Sequence, residues 1–331
     1  MSWLQLQGWA NTTKKALSIE FKTFIKYCKL ANILTLPVDG HQLALYATWL
    51  VSSGRLKAAS SVLQYISAAR TLHRQIGLDC PTPGAYGPLD MVIRGIRRTA
   101  QRPTRKTLPV TPDILYRILL LQPTDPLDVA QSQILTVYKA LSLIYFLSLL
   151  RTSNLISVSR RKPELKYLLK WGDISREDFG VTLHIRQSKT IQYGQRVQQV
   201  PLAASPNSLF CPVFALQTLL DMYGPERCTP NTPVFQIPTK SGNFTPVQRN
   251  EFERFFKKKL TNMGLDSSQF GLHSYRHGGL HETMLVEENM ALVALTSDHS
   301  SNAILAYSQV PADRRMRISA RVGRSLTQRL L

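Results

Sequence analysis

The sequence predicts a protein of the α+β class that is mainly α-helical with a small antiparallel β-sheet, and two observations support this. Apolar residues recur at helical spacing through most of the chain. The stretch Phe179–Ile185 instead alternates apolar and polar residues, as a half-buried strand does. A third observation concerns the number of domains: at 331 residues the chain exceeds the usual size of one domain, so two domains are expected.

The first hundred residues predict helices only. Thr12 or Thr13 is a suitable cap for the first helix, and Gly77 is a suitable end for the third. Proline and glycine residues in 81–88 interrupt the pattern before a fourth helix. The approximate bounds are 12–30, 41–51, 59–76 and, for the fourth helix, a segment that includes 91–98.

A basic linker is predicted next, because residues 100–112 combine three prolines with several cationic side chains. Such a segment is expected to be extended and exposed, either simply solvated or lying along phosphates. The predicted domains are therefore 1–102, the linker 103–112, and a larger domain 113–331.

The larger domain is predicted to be helical around a short hairpin. A return strand over 197–201 follows the strand 179–185, after a turn near Tyr193 and Gly194. The predicted helices are 112–121, 132–150, 212–223, 246–263 and 272–286, with further helix to the end.

The net charge of +20 indicates a polyanionic partner, since 41 Lys and Arg face only 21 Asp and Glu. Nucleic acid is the commonest such partner, and an anionic membrane surface is the alternative. The apolar stretch Leu141–Leu150 is much shorter than the roughly 20 residues that span a bilayer. With no signal-peptide pattern at the start, a soluble intracellular protein is expected.

Cysteine spacing argues against a metal or disulfide framework, because the four cysteines lie far apart without a C-x-x-C pair. His273, His277 and His281 recur at helical spacing, which raises a metal site as an alternative. Arg276 on the same face would repel a cation, and no H-E-x-x-H motif occurs. No metal and no cofactor are therefore predicted.

Several residues of the larger domain suit chemistry at a phosphate. Arg151 directly follows a buried helix, where a fixed guanidinium can contact a phosphate bidentately. Taken alone, it is more typical of an arginine that pairs with the last carbonyls of a helix. Lys189 lies at the predicted hairpin, where it could reach into a groove, and Arg186 is a rival for a phosphate contact there. Taken alone, Lys189 is more typical of an ordinary surface lysine.

A second group lies nearer the C-terminus. His273 and Arg276 are three residues apart and share a helix face, which suits proton transfer beside an oxyanion. Gly278 and Gly279 would weaken that helix unless a neighbouring segment packs closely against them. His299 and Tyr307 follow, and a tyrosine becomes a nucleophile only beside groups that stabilise its phenolate.

The order Arg, Lys, H-x-x-R, His, Tyr resembles that of the catalytic residues of tyrosine recombinases. The segments FLSLLRTSNL, KWGDI and RQSKT resemble three of the family's segments. The segments PTRKTLPVTPDIL, HSYRHG and SSNAILAY are most similar to the Crypton-like and DIRS-like recombinases of eukaryotic mobile elements. The resemblance covers essentially the whole chain and is strongest over 103–310.

The resemblance implies an all-helical core-binding domain and a catalytic domain that cleaves and rejoins DNA through a 3′-phosphotyrosyl intermediate. It implies double-stranded DNA as partner, a tetramer on DNA, and a nuclear location in a eukaryotic host. The implied catalytic residues are Arg151, Lys189, His273, Arg276, His299 and Tyr307. The residues expected to contact phosphates are Arg94, Arg97, Arg98, Arg102, Arg105 and Lys106.

Three departures from the family pattern accompany the likeness. Ser297 and Asp298 stand where Leu-Gly is usual, Tyr307 lies eight positions after His299 where nine are usual, and Asn154 stands where an acid is common. Two alternatives remain: a type IB topoisomerase, and a DNA-binding protein descended from a recombinase that no longer catalyses.

Overall fold

The computed structural model describes residues 8–9, 11–56, 58–79, 87–99, 107–158, 165–188, 191, 196–205, 207–287 and 289–297. The chain forms two compact units, Met1–Arg105 and Lys106–Leu331. None of the helices in these ranges combines the length and the hydropathy needed to cross a membrane.

Within its described residues the first unit has four helices, as predicted. The helices share one apolar core that is partly aromatic. The ring centroids of Phe24 and Tyr46 lie 5.1 Å apart, and those of Tyr27 and Tyr46 lie 5.0 Å apart. Asp39 caps the second helix by accepting from the Gln42 amide at 2.7 Å. The helices are α1 (Asn11–Leu30), α2 (Gly40–Ser52), α3 (Ala59–Gln75) and α4 (Pro88–Thr99).

The predicted start of the first helix is wrong, because Thr12 and Thr13 lie inside α1 and do not precede it. Apolar spacing identifies the face of a helix but leaves its first turn undetermined. The third helix does end where glycine was expected to end it. Gly77 has a φ of 75°, a left-handed conformation that glycine adopts without the steric cost of a side chain.

The second unit is organised around one helix that is buried on most of its surface. This helix, α6 (Val129–Ser148), supplies eleven buried residues, and helices on several sides and the sheet pack against it. In the part of this unit that the structure describes, the other α-helices are α5 (Pro112–Leu119), α7 (Thr152–Leu155), α8 (Pro212–Tyr223), α9 (Arg249–Asn262), α10 (His273–Val286) and α11 (Met290–Thr296).

The predicted hairpin is present within a three-stranded antiparallel sheet in the order β1-β2-β3. Leu183 at its centre is fully buried and lies opposite Ile174 on one side and Val200 on the other. Phe179, predicted to begin the strand, lies in the preceding turn and is 85% exposed. The strands are β1 (Ile174–Glu177), β2 (Gly180–Ile185) and β3 (Gln198–Ala203).

Two further corrections concern the segments around helices. The predicted helix 246–263 begins only at Arg249, because a short hairpin of β4 (Gln236–Pro238) and β5 (Phe244–Pro246) precedes it.

Residues 107–112 were expected to be an exposed linker, yet Val110 is fully buried. The Leu108 amide donates to the Gln269 carbonyl at 2.8 Å and the Val110 amide to Ser274 at 2.9 Å. Backbone pairing therefore fixes this segment to the second unit.

Candidate active site

The site is positioned by close packing of α10 on α6, at the two consecutive glycines of α10. A Cβ on Gly278 would collide with the Val110 carbonyl, and one on Gly279 with the Phe146 carbonyl. The closely packed segment that the two glycines predicted is thus present at each of them: the Val110 segment at Gly278 and the end of α6 at Gly279. Only glycine allows this approach, which brings the first turn of α10 beside the end of α6.

Arg276 lies at this contact and is only 3% exposed. One terminal amino group of its guanidinium donates to the Leu149 carbonyl, and the other donates to the Ser297 carbonyl at 2.7 Å. Leu149 precedes Arg151 by two residues, and Ser297 precedes His299 by two. A single buried cation thus joins the chain segments that lead to two other candidate residues.

The backbone turns sharply where Arg276 binds it. Leu149 ends α6 in the left-handed conformation, with φ of 54° and ψ of 20°. This conformation costs a leucine about 1 kcal/mol, so the surroundings must hold it there. Its side chain does so by packing in a small buried cluster with Leu280, Met284 and Val293. The turn directs the chain from α6 into the Arg151 segment.

Asn154 joins the Arg151 turn to the end of the hairpin strand. It is 1% exposed, and its amide donates to the Gln187 carbonyl at 2.8 Å. Its backbone N–H donates to the Arg151 carbonyl at 2.9 Å, and its own carbonyl accepts from Leu169 at 2.7 Å. A carboxylate at this position would have no proton to offer Gln187.

A buried layer of tyrosines supports both arginine segments. Tyr275 exchanges a hydrogen bond of 3.0 Å with Ser142 and stacks on Tyr145 at 5.4 Å. The Tyr145 hydroxyl in turn hydrogen-bonds Thr152, directly after Arg151. Burial raises the pKa of Tyr275 and of Tyr145 above the usual range, so both rings stay uncharged.

His273 lies in the field of several cations. His273 is exposed to solvent at its surface side, yet desolvation of its imidazole lowers its pKa, and Arg276, His277 and Arg151 lower it further. His273, Arg276 and Arg151 are thus electrostatic neighbours. At neutral pH the imidazole carries no charge and has a lone pair available to accept a proton.

The described residues therefore include three of the six candidate catalytic side chains. His273 begins α10, Arg276 follows one turn later, and Arg151 is half-buried at the start of α7. Lys189, His299 and Tyr307 lie outside the described residues. Their roles stay predictions.

Of the candidate DNA contacts, Arg94, Arg97 and Arg98 are exposed on α4, while Arg102, Arg105 and Lys106 lie outside the described residues. Arg94 forms an ion pair with Asp90 at 2.8 Å, which partly neutralises it.

A second basic surface of the first unit was not predicted from the sequence. We call it the lysine row: the exposed residues Lys15, Lys22, Lys26 and Lys29 of α1. At about 100° per residue they fall within about 60° of arc, over a length of about 21 Å. In the described part of the chain, none of the four forms an ion pair with an acidic residue. The sequence could have predicted this surface, because the four lysines recur at helical spacing.

The histidine face of α10 has partners other than a metal. The His277 Nδ1 lies 3.2 Å from the Thr107 carbonyl, and the His281 Nδ1 lies 3.4 Å from the Glu282 carboxylate. Across the described ranges, no group of three or more His, Cys, Asp or Glu residues is placed to hold a metal ion.

The architecture is the fold of the tyrosine recombinases. XerH site-specific recombinase, in a post-cleavage complex with its difH substrate, matches with a TM-score of 0.63 and 18% identity, over 92% of this chain and 78% of that one. The Tn1549 transposon integrase bound to transposon right end DNA matches with a TM-score of 0.61 and 15% identity, over 97% and 96% of the two chains.

A lambda integrase dimer bound to a COC′ core site also matches, with a TM-score of 0.53 and 15% identity, over 92% of this chain and 73% of that one. No family model and no curated protein matches the sequence. At these identities the structural matches show the shared fold.

Asn154→Asp is expected to destabilise the second unit by about 3 kcal/mol at neutral pH, because a buried carboxylate would face the Gln187 carbonyl without a proton to share. Acidification should restore part of the loss, since a protonated carboxyl group can donate. Urea unfolding at pH 7.5 and pH 5 measures both effects. An equal loss at the two pH values would contradict the proposed donor role.

The pKa of His273 is expected to lie below its ordinary value of 6.5 and to rise in an Arg151→Gln variant, which removes one positive neighbour. NMR titration of the ring measures this. Arg117→Gln, which removes an exposed cation paired with Asp113, is the matched control and should leave the His273 pKa unchanged.

The same shift has a consequence for stability. Since the folded state resists protonation of His273, the stability present above the unfolded pKa is lost as pH falls from there towards the folded pKa. If the His273 pKa were the same in Arg151→Gln as in wild type, Arg151 would not act on the charge of His273, and the prediction would be contradicted.

Proposed function

We propose that this chain is a DNA strand transferase that cleaves and rejoins duplex DNA through a 3′-phosphotyrosyl intermediate. The observation that carries the proposal is the buried Arg276, which lies one helical turn after His273 and donates to the Leu149 and Ser297 carbonyls, on the fold of the tyrosine recombinases. Two guanidiniums and an uncharged imidazole are the groups needed to bind a phosphate and to accept a proton beside it.

In the proposed reaction, Arg151 and Arg276 bind the non-bridging oxygens of the scissile phosphate. Negative charge accumulates on those oxygens as phosphorus becomes pentavalent, so fixed guanidiniums stabilise the transition state more than the ground state. His299 adds a hydrogen bond to the same oxygens. The arginines supply the charge neutralisation, and the reaction as proposed needs no cofactor.

Tyr307 is the proposed nucleophile. Its phenol oxygen attacks phosphorus and forms the 3′-phosphotyrosyl bond, while His273 takes up the phenolic proton. The bond to the 5′ oxygen breaks, and Lys189 delivers a proton to that oxygen as it leaves. A 5′-hydroxyl of another strand can then reverse the step, so strands are exchanged without ATP.

Exposed cations on two helices of the first unit support duplex DNA as the substrate. The lysine row presents four exposed cations along one side of α1, and α4 adds exposed arginines. Glu20, the one acidic residue of α1, is buried and accepts from Gln64 at 2.6 Å, so it does not neutralise the row. Such surfaces contact phosphates and position the protein without reading sequence.

The finer assignments follow the sequence resemblance. We propose integration or excision of a Crypton-like or DIRS-like mobile element, a tetramer of this chain in the complex that exchanges strands, and action in the nucleus of a eukaryotic host. The matched structures include a recombinase on its substrate and an integrase on transposon DNA, which is consistent with this proposal.

The test is a covalent adduct. A duplex selected for tight binding from a random pool is nicked and incubated with the protein, and a denaturing gel reports protein-linked DNA. Wild type and Tyr116→Phe, a change at an exposed tyrosine of α5, should form the adduct, and Tyr307→Phe should not. Salt-dependent binding without an adduct from wild type would favour a DNA-binding protein without catalysis.

A further inference from the structure

A second cationic site lies at the root of the hairpin, outside the set of residues proposed for catalysis. It is a cavity of about 320 Å³ between the segment 166–173, the end of β2, and the loop at Pro230 and Asn231. A water molecule's share of liquid volume is about 30 Å³, so the cavity can hold a polyatomic group together with its water.

The walls carry an excess of positive charge. Lys166, Lys170 and Arg186 line the cavity, and Asp173 is the one carboxylate among the described lining residues. Within the described ranges, neither lysine forms an ion pair with an acidic residue. Among the described lining residues, three cations against one anion leave a net charge of about +2, which favours an anionic occupant.

Arg186 is held in place for such a contact. Its Nε donates to the Asp173 carboxylate at 2.7 Å, and Asp173, only 13% exposed at its side chain, also accepts from the Lys170 amide at 3.2 Å. The Arg186 side chain itself remains 63% exposed. This ion pair orients the guanidinium while most of the side chain stays open to solvent, an arrangement that suits contact with a phosphate.

Residues that line the cavity are linked to residues of the candidate active site by hydrogen bonds and by short stretches of chain. Gln187 lines it, and the Gln187 carbonyl accepts the hydrogen bond from Asn154, whose backbone is bonded to Arg151. Lys189 follows Gln187 by two residues. A DNA strand bound at the candidate site would have further phosphates a few ångströms away along its backbone.

We propose that this cavity binds a backbone phosphate of the DNA strand held at the candidate active site, with Lys166, Lys170 and Arg186 as its ligands. The proposal rests on the proposed function and extends the DNA-contacting surface beyond the catalytic residues. Such a contact fixes the position of the strand relative to Arg151 and carries no sequence information.

The test is the salt dependence of binding to a 30-bp duplex of arbitrary sequence. A Lys166→Gln/Lys170→Gln double variant removes two cavity charges and leaves the Arg186–Asp173 pair intact. One lost phosphate contact should reduce the slope of log K against log salt by about 0.9 in magnitude. A Lys240→Gln/Lys258→Gln double variant makes the same charge change at two exposed lysines outside the cavity and should alter the slope much less.

Fluorescence anisotropy across a salt series provides the slopes, and thermal unfolding verifies that both variants are folded. A reduced slope in the cavity variant alone supports the proposal. An unchanged slope, or an equal reduction in both variants, overturns it while duplex binding itself stands. Absence of salt-dependent duplex binding by wild type would overturn the proposed function as well.

A free phosphate compound has the same recognition chemistry, so a second arm separates the two sources. Inorganic phosphate is titrated into wild type at constant ionic strength, and the amide NMR signals of Gly172 and Gln187 are followed. Weak, non-saturating shifts together with the changed DNA slope support a backbone phosphate. Saturable phosphate binding with an unchanged DNA slope overturns the assignment to DNA.

Discussion

A Gly279→Ala variant is expected to be about 2 kcal/mol less stable than wild type. Its new methyl group would overlap the Phe146 carbonyl and lie 2.7 Å from a Leu149 side-chain carbon. Overpacking of this kind costs roughly 1–3 kcal/mol or more, and here the obstacle is backbone, which cannot rotate aside. That cost exceeds the gain of about 1 kcal/mol that alanine offers over glycine inside a helix.

Matched controls separate the clash from the loss of a glycine as such. Gly95 lies in α4, and a Cβ added there would meet no other described residue within 4 Å, so Gly95→Ala should stabilise its helix by about 0.5–1 kcal/mol. Gly271, in the second unit, has similar space among the described residues, and Gly271→Ala should be nearly neutral. Calorimetric unfolding measures all three. A Gly279→Ala variant as stable as Gly271→Ala would contradict the close helix contact.

An Arg276→Ala variant is expected to lose strand cleavage by about a thousandfold or more. Removal of one preorganised donor to a transition-state oxyanion costs roughly 10²–10³ in rate, and this residue also joins the Leu149 and Ser297 segments. Two buried carbonyls would lose their donor, which adds a stability loss of about 2–3 kcal/mol. Single-turnover cleavage of the nicked duplex measures the rate.

Arg276→Lys distinguishes geometry from charge. Lysine keeps the positive charge, but its ammonium is compact and lacks the planar fork that reaches two carbonyls at once. We therefore expect the lysine variant to remain at least about a hundredfold slower than wild type. Arg117→Lys, at an exposed arginine of α5, is the control and should cleave normally. Wild-type cleavage by Arg276→Lys would contradict the bridging role.

The sequence predicted the elements whose pattern repeats. Helical spacing located the four helices described in the first unit, and strict alternation located the hairpin that contains Leu183. The paired glycines at 278 and 279 predicted a close neighbour, because nothing else favours two glycines inside a helix. The strands β4 and β5 were missed because three residues each are too few to display a period.

The hydrogen-bond partners of the site residues could not be predicted from the spacing of residues along the chain. The sequence indicated Arg276 as a phosphate contact, but it did not show that two of its N–H groups also donate to the Leu149 and Ser297 carbonyls, each beside the end of a helix. Asn154 looked like a departure from a family pattern, while the structure gives its amide a specific acceptor in Gln187. Both facts depend on contacts between segments far apart in the chain, which no local pattern encodes.

A crystal structure of Tyr307→Phe bound to the selected duplex would show whether the two arginines share one phosphate, on which the proposed reaction depends. We predict that a single phosphate accepts hydrogen bonds from both Arg151 and Arg276, at about 2.7–3.2 Å. His273 should lie beside the same phosphate. A structure in which the two arginines bind different phosphates, or in which neither faces DNA, would contradict the proposed reaction.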